Sequence, residues 1–197
     1  MIKRIFDFCA ALVGLVVLAP LFFVVAVLIK LDSDGEVFFR QTRVGKGGKD
    51  FSIYKFRTMA KSKNKDDLQI TVGADMRVTK IGKFLRKYRI DELPQLINVI
   101  KGDMSLVGPR PEVPEYVRHY PNGKNDIVLS LRPGITDLAS INFKDEADIL
   151  ASQSNPEKAY IERILPKKLR YCRFYIKKRS FCYDIAIIFK TFMAVVK

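Results

Sequence analysis

The sequence predicts an α+β protein with an N-terminal re-entrant membrane helix, a small, mainly helical cytosolic domain containing a β-hairpin, and amphipathic helices at the membrane interface. Three observations carry this reading. Residues 8–29 hold no charged side chain, residues 37–43 and 51–59 have strand character on either side of a glycine-rich tip, and apolar residues elsewhere recur at helical spacing. The 197 residues divide accordingly into 1–32, 33–180 and 181–197.

At ~1.5 Å per residue, a straight helix over 8–29 just covers a hydrocarbon core of ~30 Å. Pro20 lies in its middle, where a proline removes a helix hydrogen bond and bends or breaks the axis. Lys3 and Arg4 precede the run and Lys30 follows it, so both flanks favour the cytoplasmic side. A helix broken near Pro20 that returns to its own leaflet satisfies both facts; a single-pass helix is the rival. The run exceeds the ~7–15 residues of a signal-peptide core, and no small-x-small site follows it.

Residues 32–36 form a polar joint. The two strands of the hairpin come next, joined by a tip at 45–50. Alternation places Phe51, Ile53, Lys55 and Arg57 on one face of the second strand, so that Lys55 and Arg57 project together. Ordinary solvated strand charges are the alternative. The tip lacks the GK[ST] ending of a phosphate-binding loop that opens a helix. Residues 60–75 are polar and lysine-rich, and read as a loop or lid.

Ile81, Phe84, Leu85 and Tyr88 give residues 79–89 an apolar helical face, with Lys80, Lys83, Lys87, Arg86 and Arg89 on the others. The next helix is expected to begin near Asp91, with Asp91 as cap, Pro94 in the first turn and Gly102 as the stop. Asp91 and Glu92 then lie together at a helix start beside a crowd of cations, where phosphate is also attracted. A capped surface helix with ordinary ion pairs explains the same residues. Prolines on both sides restrict Arg110, making it a preorganised phosphate clamp, and Arg132-Pro133-Gly134 offers a second such turn.

Near the C-terminus, Ile185, Ile188, Phe189, Phe192 and Val196 recur at helical spacing after a cationic, aromatic tract over 167–179. That mixture suits a helix on the bilayer surface. A helix facing the core is the alternative.

The formal net charge of +14 implies a polyanionic partner: nucleic acid, anionic lipid or a phosphorylated substrate. A nucleic-acid binder has no use for an acidic pair inside its basic zone, so that class fits poorly. Cys9, Cys172 and Cys182 form neither a disulfide framework nor a metal-ligand spacing, which suits a reducing compartment. His119 is the lone histidine and sits at a loop edge, so histidine-based nucleophilic catalysis is not expected.

Three segments match a known pattern: KFRTM at 55–59, RKYRIDELPQLINVIKGDMSLVGPRPE at 86–112 and LRPGIT at 131–136, all following the apolar segment. Together they resemble the bacterial sugar transferase family, the monotopic polyprenyl-phosphate phosphoglycosyl transferases, in their minimal catalytic form. The likeness covers nearly the whole chain. It implies an enzyme of the inner membrane, with its catalytic domain on the cytoplasmic face, that transfers phosphosugar from a UDP-sugar to polyprenyl phosphate, undecaprenyl phosphate above all, and releases UMP.

By the same resemblance, Asp91 is the nucleophile that takes the phosphosugar, and Glu92 assists through Mg²⁺. Lys55, Arg57, Arg86 and Arg110 are implied to bind substrate phosphate, with Arg89 and Arg132 as further substrate contacts, and Pro20 matches the break in a re-entrant helix. Many relatives carry serine before that proline, where this chain has Ala19. After RPGIT this chain carries Asp137-Leu138-Ala139-Ser140 where many relatives have a glycine followed by aromatic and glutamine residues, so the identity of the sugar is not carried over. Neither the glycan pathway nor the oligomeric state is written in these residues.

Overall fold

The computed structural model describes residues 2–60, 70, 72, 73, 75–143 and 145–196, with the side chain of residue 196 left out. Most of the expected loop over 60–75 lies outside these residues. Helix α1 (Ile2–Asp32) is followed by an antiparallel hairpin of β1 (Phe38–Val44) and β2 (Asp50–Phe56), in register from Phe38 opposite Phe56 to Val44 opposite Asp50. Gly47 and Gly48, at φ 69° and 71°, make its tip. Helices α2 (Lys80–Lys87) and α3 (Gln95–Lys101) lead to β3 (Ser105–Val107), α4 (Pro114–Val117) and β4 (Gly134–Thr136). Five α-helices follow among the described residues: α5 (Leu138–Asn142), α6 (Glu146–Ala151), α7 (Pro156–Ala159) and, after a π-helical turn at Tyr160–Ile164, α8 (Leu165–Lys178), with α9 (Phe181–Val196) last.

Helix α1 corrects the expected break. It is helical without interruption through Pro20, because a helix of this length tolerates the one backbone hydrogen bond that proline removes. It is also long and apolar enough to cross a membrane by length and composition. Even so, one stripe of it is core. Ala11, Leu15 and Leu18 pack with Ile53, Leu96, Val99 and Met104, and further along Leu21, Phe22, Val25 and Ile29 pack with Phe56, Ile81 and Leu85.

Both ends of α1 are tied to the domain. At its start, Lys3 reaches Asp184 of α9 at 2.5 Å, Arg4 donates to the carbonyls of Val99 and Ile100 at 2.7 and 3.2 Å, and Asp7 accepts from Ser105 at 2.7 Å. At its end, Asp32 accepts from the Ile81 backbone N–H at 3.0 Å. The opposite stripe, including Phe8, Val13, Val16, Val17, Phe23 and Leu31, is exposed.

The parallel β3–β4 pair was not expected from the sequence, as each strand has only three residues. It fixes the loop that carries Arg110: Gly134 donates to the Pro109 carbonyl at 3.0 Å and Gly108 to that of Thr136 at 3.1 Å. A side chain on Gly134 would meet Gly108 N at 2.1 Å, so only glycine allows the two turns to cross.

The cationic tract of α8 is only partly a surface. Lys168 is buried against Glu146 at 2.6 Å, and Arg173 pairs with the buried Asp126 at 2.8 Å, while Arg170, Phe174 and Lys177 are exposed. Helix α9 buries Ile187 against Val107 and Tyr175 and leaves Phe181, Ile185, Phe189, Phe192 and Met193 exposed.

Candidate active site

Thr79 caps α2 by accepting from the Gly82 N–H at 3.0 Å, and the helix ends at Tyr88. Arg89 then takes a left-handed conformation, φ 52°, which only this non-glycine residue adopts among the described residues. The reversal sends Ile90–Glu92 into a single 3-10 turn, after which Pro94 opens α3 and Gly102, at φ 93°, closes it. Asp91 is therefore not the cap of an α-helix, as its residue type suggested. It and Glu92 sit in the sharp turn between two helices, and both are buried.

The site gathers four of the expected cations directly around this pair. Lys55, projecting from β2, meets Glu92 at 2.8 Å, and Arg89 reaches it at 3.3 Å. Arg110 grips both Glu92 oxygens, Nη1 to Oε2 at 3.3 Å and Nη2 to Oε1. Arg86 lies within electrostatic range of Asp91 and donates to Thr58 Oγ1 at 2.9 Å. Burial works against ionisation of Glu92, but Arg110, Lys55 and Arg89 overcome it and hold its carboxyl well below the usual range. Glu92 in turn raises Arg110, against the effect of burial.

Asp91 differs. No hydrogen bond or ion pair holds it among the described residues, and burial pushes its carboxyl up to about 6, with Glu92 adding to the rise and Lys55, Arg86 and Arg110 opposing it. A poorly solvated carboxylate among cations is chemically able to act as a nucleophile or a base toward an anionic group whose charge those cations offset.

Two expected contacts lie elsewhere. Strand β2 ends at Phe56, so Arg57 no longer follows the pleat that sends Lys55 to Glu92; it donates to Ser33 O at 2.6 Å, Ser33 Oγ at 3.0 Å and Ile29 O at 3.4 Å, at the end of α1. Arg132 donates to Gly102 O at 2.8 Å, where it satisfies the end of α3 instead of facing Asp91.

Supporting residues escaped the sequence reading because their partners are far apart along the chain. Arg43 donates to Pro111 O at 3.2 Å, Tyr160 to Glu112 at 2.6 Å, and Arg89 also reaches Ser140 O at 3.3 Å. Asn98, fully buried, accepts from Tyr54 N at 2.9 Å and donates to Ser52 O at 2.8 Å, which locks α3 to β2. The only advance signal was the position of Arg43 and Glu112 beside residues already singled out.

The described residues contain no cluster of three or more carboxylate, histidine or cysteine side chains able to hold a metal alone. Two adjacent carboxylates do fit Mg²⁺ of the kind that keeps several waters and takes its remaining ligands from substrate phosphates. Asp91 has oxygens to offer, whereas Glu92 is engaged by three cations and would have to share its oxygens with them.

A sequence profile for bacterial sugar transferases matches residues 1–197. The chain belongs to the bacterial sugar transferase family. Among similar members, the UDP-N-acetylgalactosamine-undecaprenyl-phosphate N-acetylgalactosaminephosphotransferase of Aeromonas hydrophila is 44% identical over 194 residues, covering 96% of this chain and 42% of its own length. The UDP-glucose:undecaprenyl-phosphate glucose-1-phosphate transferase of Klebsiella pneumoniae is 38% identical, covering 96% of this chain and 39% of its own length. The exopolysaccharide production protein ExoY of Sinorhizobium fredii is 33% identical, with 98% of this chain and 84% of its own length matched. The chain thus spans about two fifths of the first two relatives and most of the third.

Proposed function

We propose that this chain is a membrane-bound phosphoglycosyl transferase that moves a phosphosugar from a UDP-sugar to undecaprenyl phosphate, releasing UMP. Relatives named for this reaction support it, as does one observation above the rest: a buried Asp91 that holds no hydrogen bond or ion pair among the described residues and lies in the field of Lys55, Arg86 and Arg110.

In the first half-reaction an Asp91 oxygen attacks the sugar-bearing phosphorus, the bond from that phosphorus to the bridging oxygen breaks, and UMP leaves with the electron pair. Lys55, Arg86 and Arg110 offset the charge of the diphosphate so that one anion can approach another. Asp91 and Glu92 would hold Mg²⁺, which would supply further charge neutralisation. In the second half-reaction a phosphate oxygen of undecaprenyl phosphate attacks the aspartyl-bound phosphorus, which restores the carboxylate and forms the diphosphate-linked product. Glu92 keeps the cations in place throughout, because its own charge is secured by three of them.

A soluble nucleotide sugar and a lipid phosphate must meet at one carboxylate, so the site has to lie at the membrane surface. The packing of α1 supports that placement and a re-entrant topology on the cytoplasmic side of the inner membrane. Its first two turns touch α3, β3 and α9, and its last touch Phe56 of β2 and α2, so both ends face one domain. The helix bends at Pro20 without a break in this reading, and its exposed stripe faces lipid.

Incubation with labelled UDP-N-acetylgalactosamine or UDP-glucose, without lipid, tests the chemistry. The covalent route gives UMP and label on the protein, both lost in Asp91→Asn; direct attack by the lipid phosphate gives neither until lipid is added. For topology, a cysteine at residue 2 of an otherwise cysteine-free chain should label from the cytoplasmic side. Labelling only from the periplasm overturns the re-entrant reading.

A further inference from the structure

A cavity of about 390 Å³ opens between the first turns of α1, strand β3, the turn before β4 and the start of α9. None of the residues that line it belongs to the Asp91 site. Five cations line it, Lys3, Arg4, Lys46, Arg132 and Arg179, against two carboxylates, Asp7 and Asp184.

Those carboxylates are already committed. Asp184 receives Lys3 at 2.5 Å and the Tyr175 hydroxyl at 2.6 Å, and Asp7 receives the Ser105 hydroxyl at 2.7 Å with Lys3 at 3.8 Å. Arg4 and Arg132 point donors at the carbonyls that end α3. Lys46 and Arg179 make no hydrogen bond or ion pair among the described residues, although they come from the hairpin tip and the α8–α9 junction, far apart along the chain. Both are exposed at the edge of the cavity, and cations brought to one cavity repel one another unless an anion lies between them. The start of the 16-residue α9 adds donors of the same sign.

The surroundings decide which anion. Phe181 lines the cavity and packs edge-on against Phe6 at 5.0 Å, and Ile2, Ile5 and Ile185, sequence neighbours of the lining residues Lys3, Arg4 and Asp184, are exposed. A phosphate carried on acyl chains matches both the cationic interior and this apolar rim; a free phosphate matches only the interior.

We propose that this cavity binds the phosphate headgroup of an anionic phospholipid, at a site separate from Asp91, and so fixes the depth of the α1–α9 end of the protein in the bilayer. The inference uses the membrane association of α1 but not the transfer reaction.

The test is a calorimetric titration of the detergent-solubilised full chain with dihexanoyl phosphatidylglycerol, dihexanoyl phosphatidylcholine or inorganic phosphate. Lys46→Gln/Arg179→Gln removes the two cations that hold nothing else, and Lys46→Arg/Arg179→Lys keeps the charge. Saturable binding of phosphatidylglycerol is expected, about five-fold weaker in the Gln pair, as suits the loss of two exposed charges, and retained in the charge-preserving pair. Phosphatidylcholine should bind weakly or not at all. Equal binding of the two lipids, absence of phosphatidylglycerol binding, or no loss in the Gln pair overturns the site. Inorganic phosphate binding as tightly as phosphatidylglycerol would overturn the lipid assignment in favour of a soluble anion. Lipid-free labelling of the protein by UDP-sugar, measured on the same variants, reports separately on the transfer chemistry.

Discussion

Arg110 holds the carboxylate of Glu92 with both terminal nitrogens, while Asp91, one residue earlier, is held by no hydrogen bond or ion pair among the described residues. Two acids adjacent in sequence thus have opposite electrostatic fates. Both lie in one 3-10 turn within reach of the same cations, yet the Glu92 carboxyl is fixed by them and the Asp91 carboxyl is not.

Arg110→Lys keeps the charge and loses the fork. A charge-assisted hydrogen bond is worth ~1.5–3 kcal/mol, so turnover measured by UMP release should fall by ~10- to 100-fold, with a lower unfolding midpoint. Unchanged kinetics would show that point charge alone suffices at this position.

Asp91 should be a stability liability in the metal-free protein. Its folded value of about 6 exceeds the ordinary 3.8, so folding favours the protonated acid. The contribution of this group is full below pH ~3.8 and is lost as pH rises through about 6. Asp91→Asn should therefore be inactive yet more stable at pH 7, by up to about 3 kcal/mol, with the difference vanishing near pH 3.5. Denaturation curves in EDTA at the two pH values check both size and sign.

Arg57→Ala tests the reassignment of that residue. Its donors secure the end of α1, so the loss should appear as ~2 kcal/mol of stability, with the KM for UDP-sugar unchanged within about two-fold. A large rise in KM with stability intact would return Arg57 to the substrate site.

Gly82→Ala should fail badly where Gly47→Ala is tolerated. A Cβ on Gly82 would lie 2.1 Å from the Thr58 carbonyl oxygen, which forces α2 away from the chain leaving β2 and disturbs the Arg86–Thr58 contact. A cost of ~3 kcal/mol is expected, against ~1 kcal/mol at Gly47, which has a positive φ but open space around it. Yield of detergent-extractable protein and its thermal midpoint separate the two.

What the sequence displayed well was local. The hairpin, the helix beginning near Thr79 and the Gly102 stop follow from patterns within a few residues, whereas Lys55 and Arg110, which the structure sets beside Glu92, were singled out by the family resemblance. Arg57 was misplaced because alternation holds only while the strand lasts, and β2 stops one residue short of it. The 3-10 turn at Asp91 was missed because Arg89 adopts a backbone conformation that residue type argues against. Pairs such as Arg173 with Asp126 and Lys168 with Glu146 were invisible, since nothing local tells which lysine or arginine of a basic tract turns inward.

Ala11, Val25 and Ile29 of α1 are core residues of the domain that follows them, which gives the apolar helix a second job. Trimming it would uncover Leu96, Val99, Phe56 and Leu85 at once and remove the Ile29 carbonyl that Arg57 reaches. Anchor and fold are one piece here, so purification strategies for this protein should replace the lipid around α1 and leave the helix itself in place.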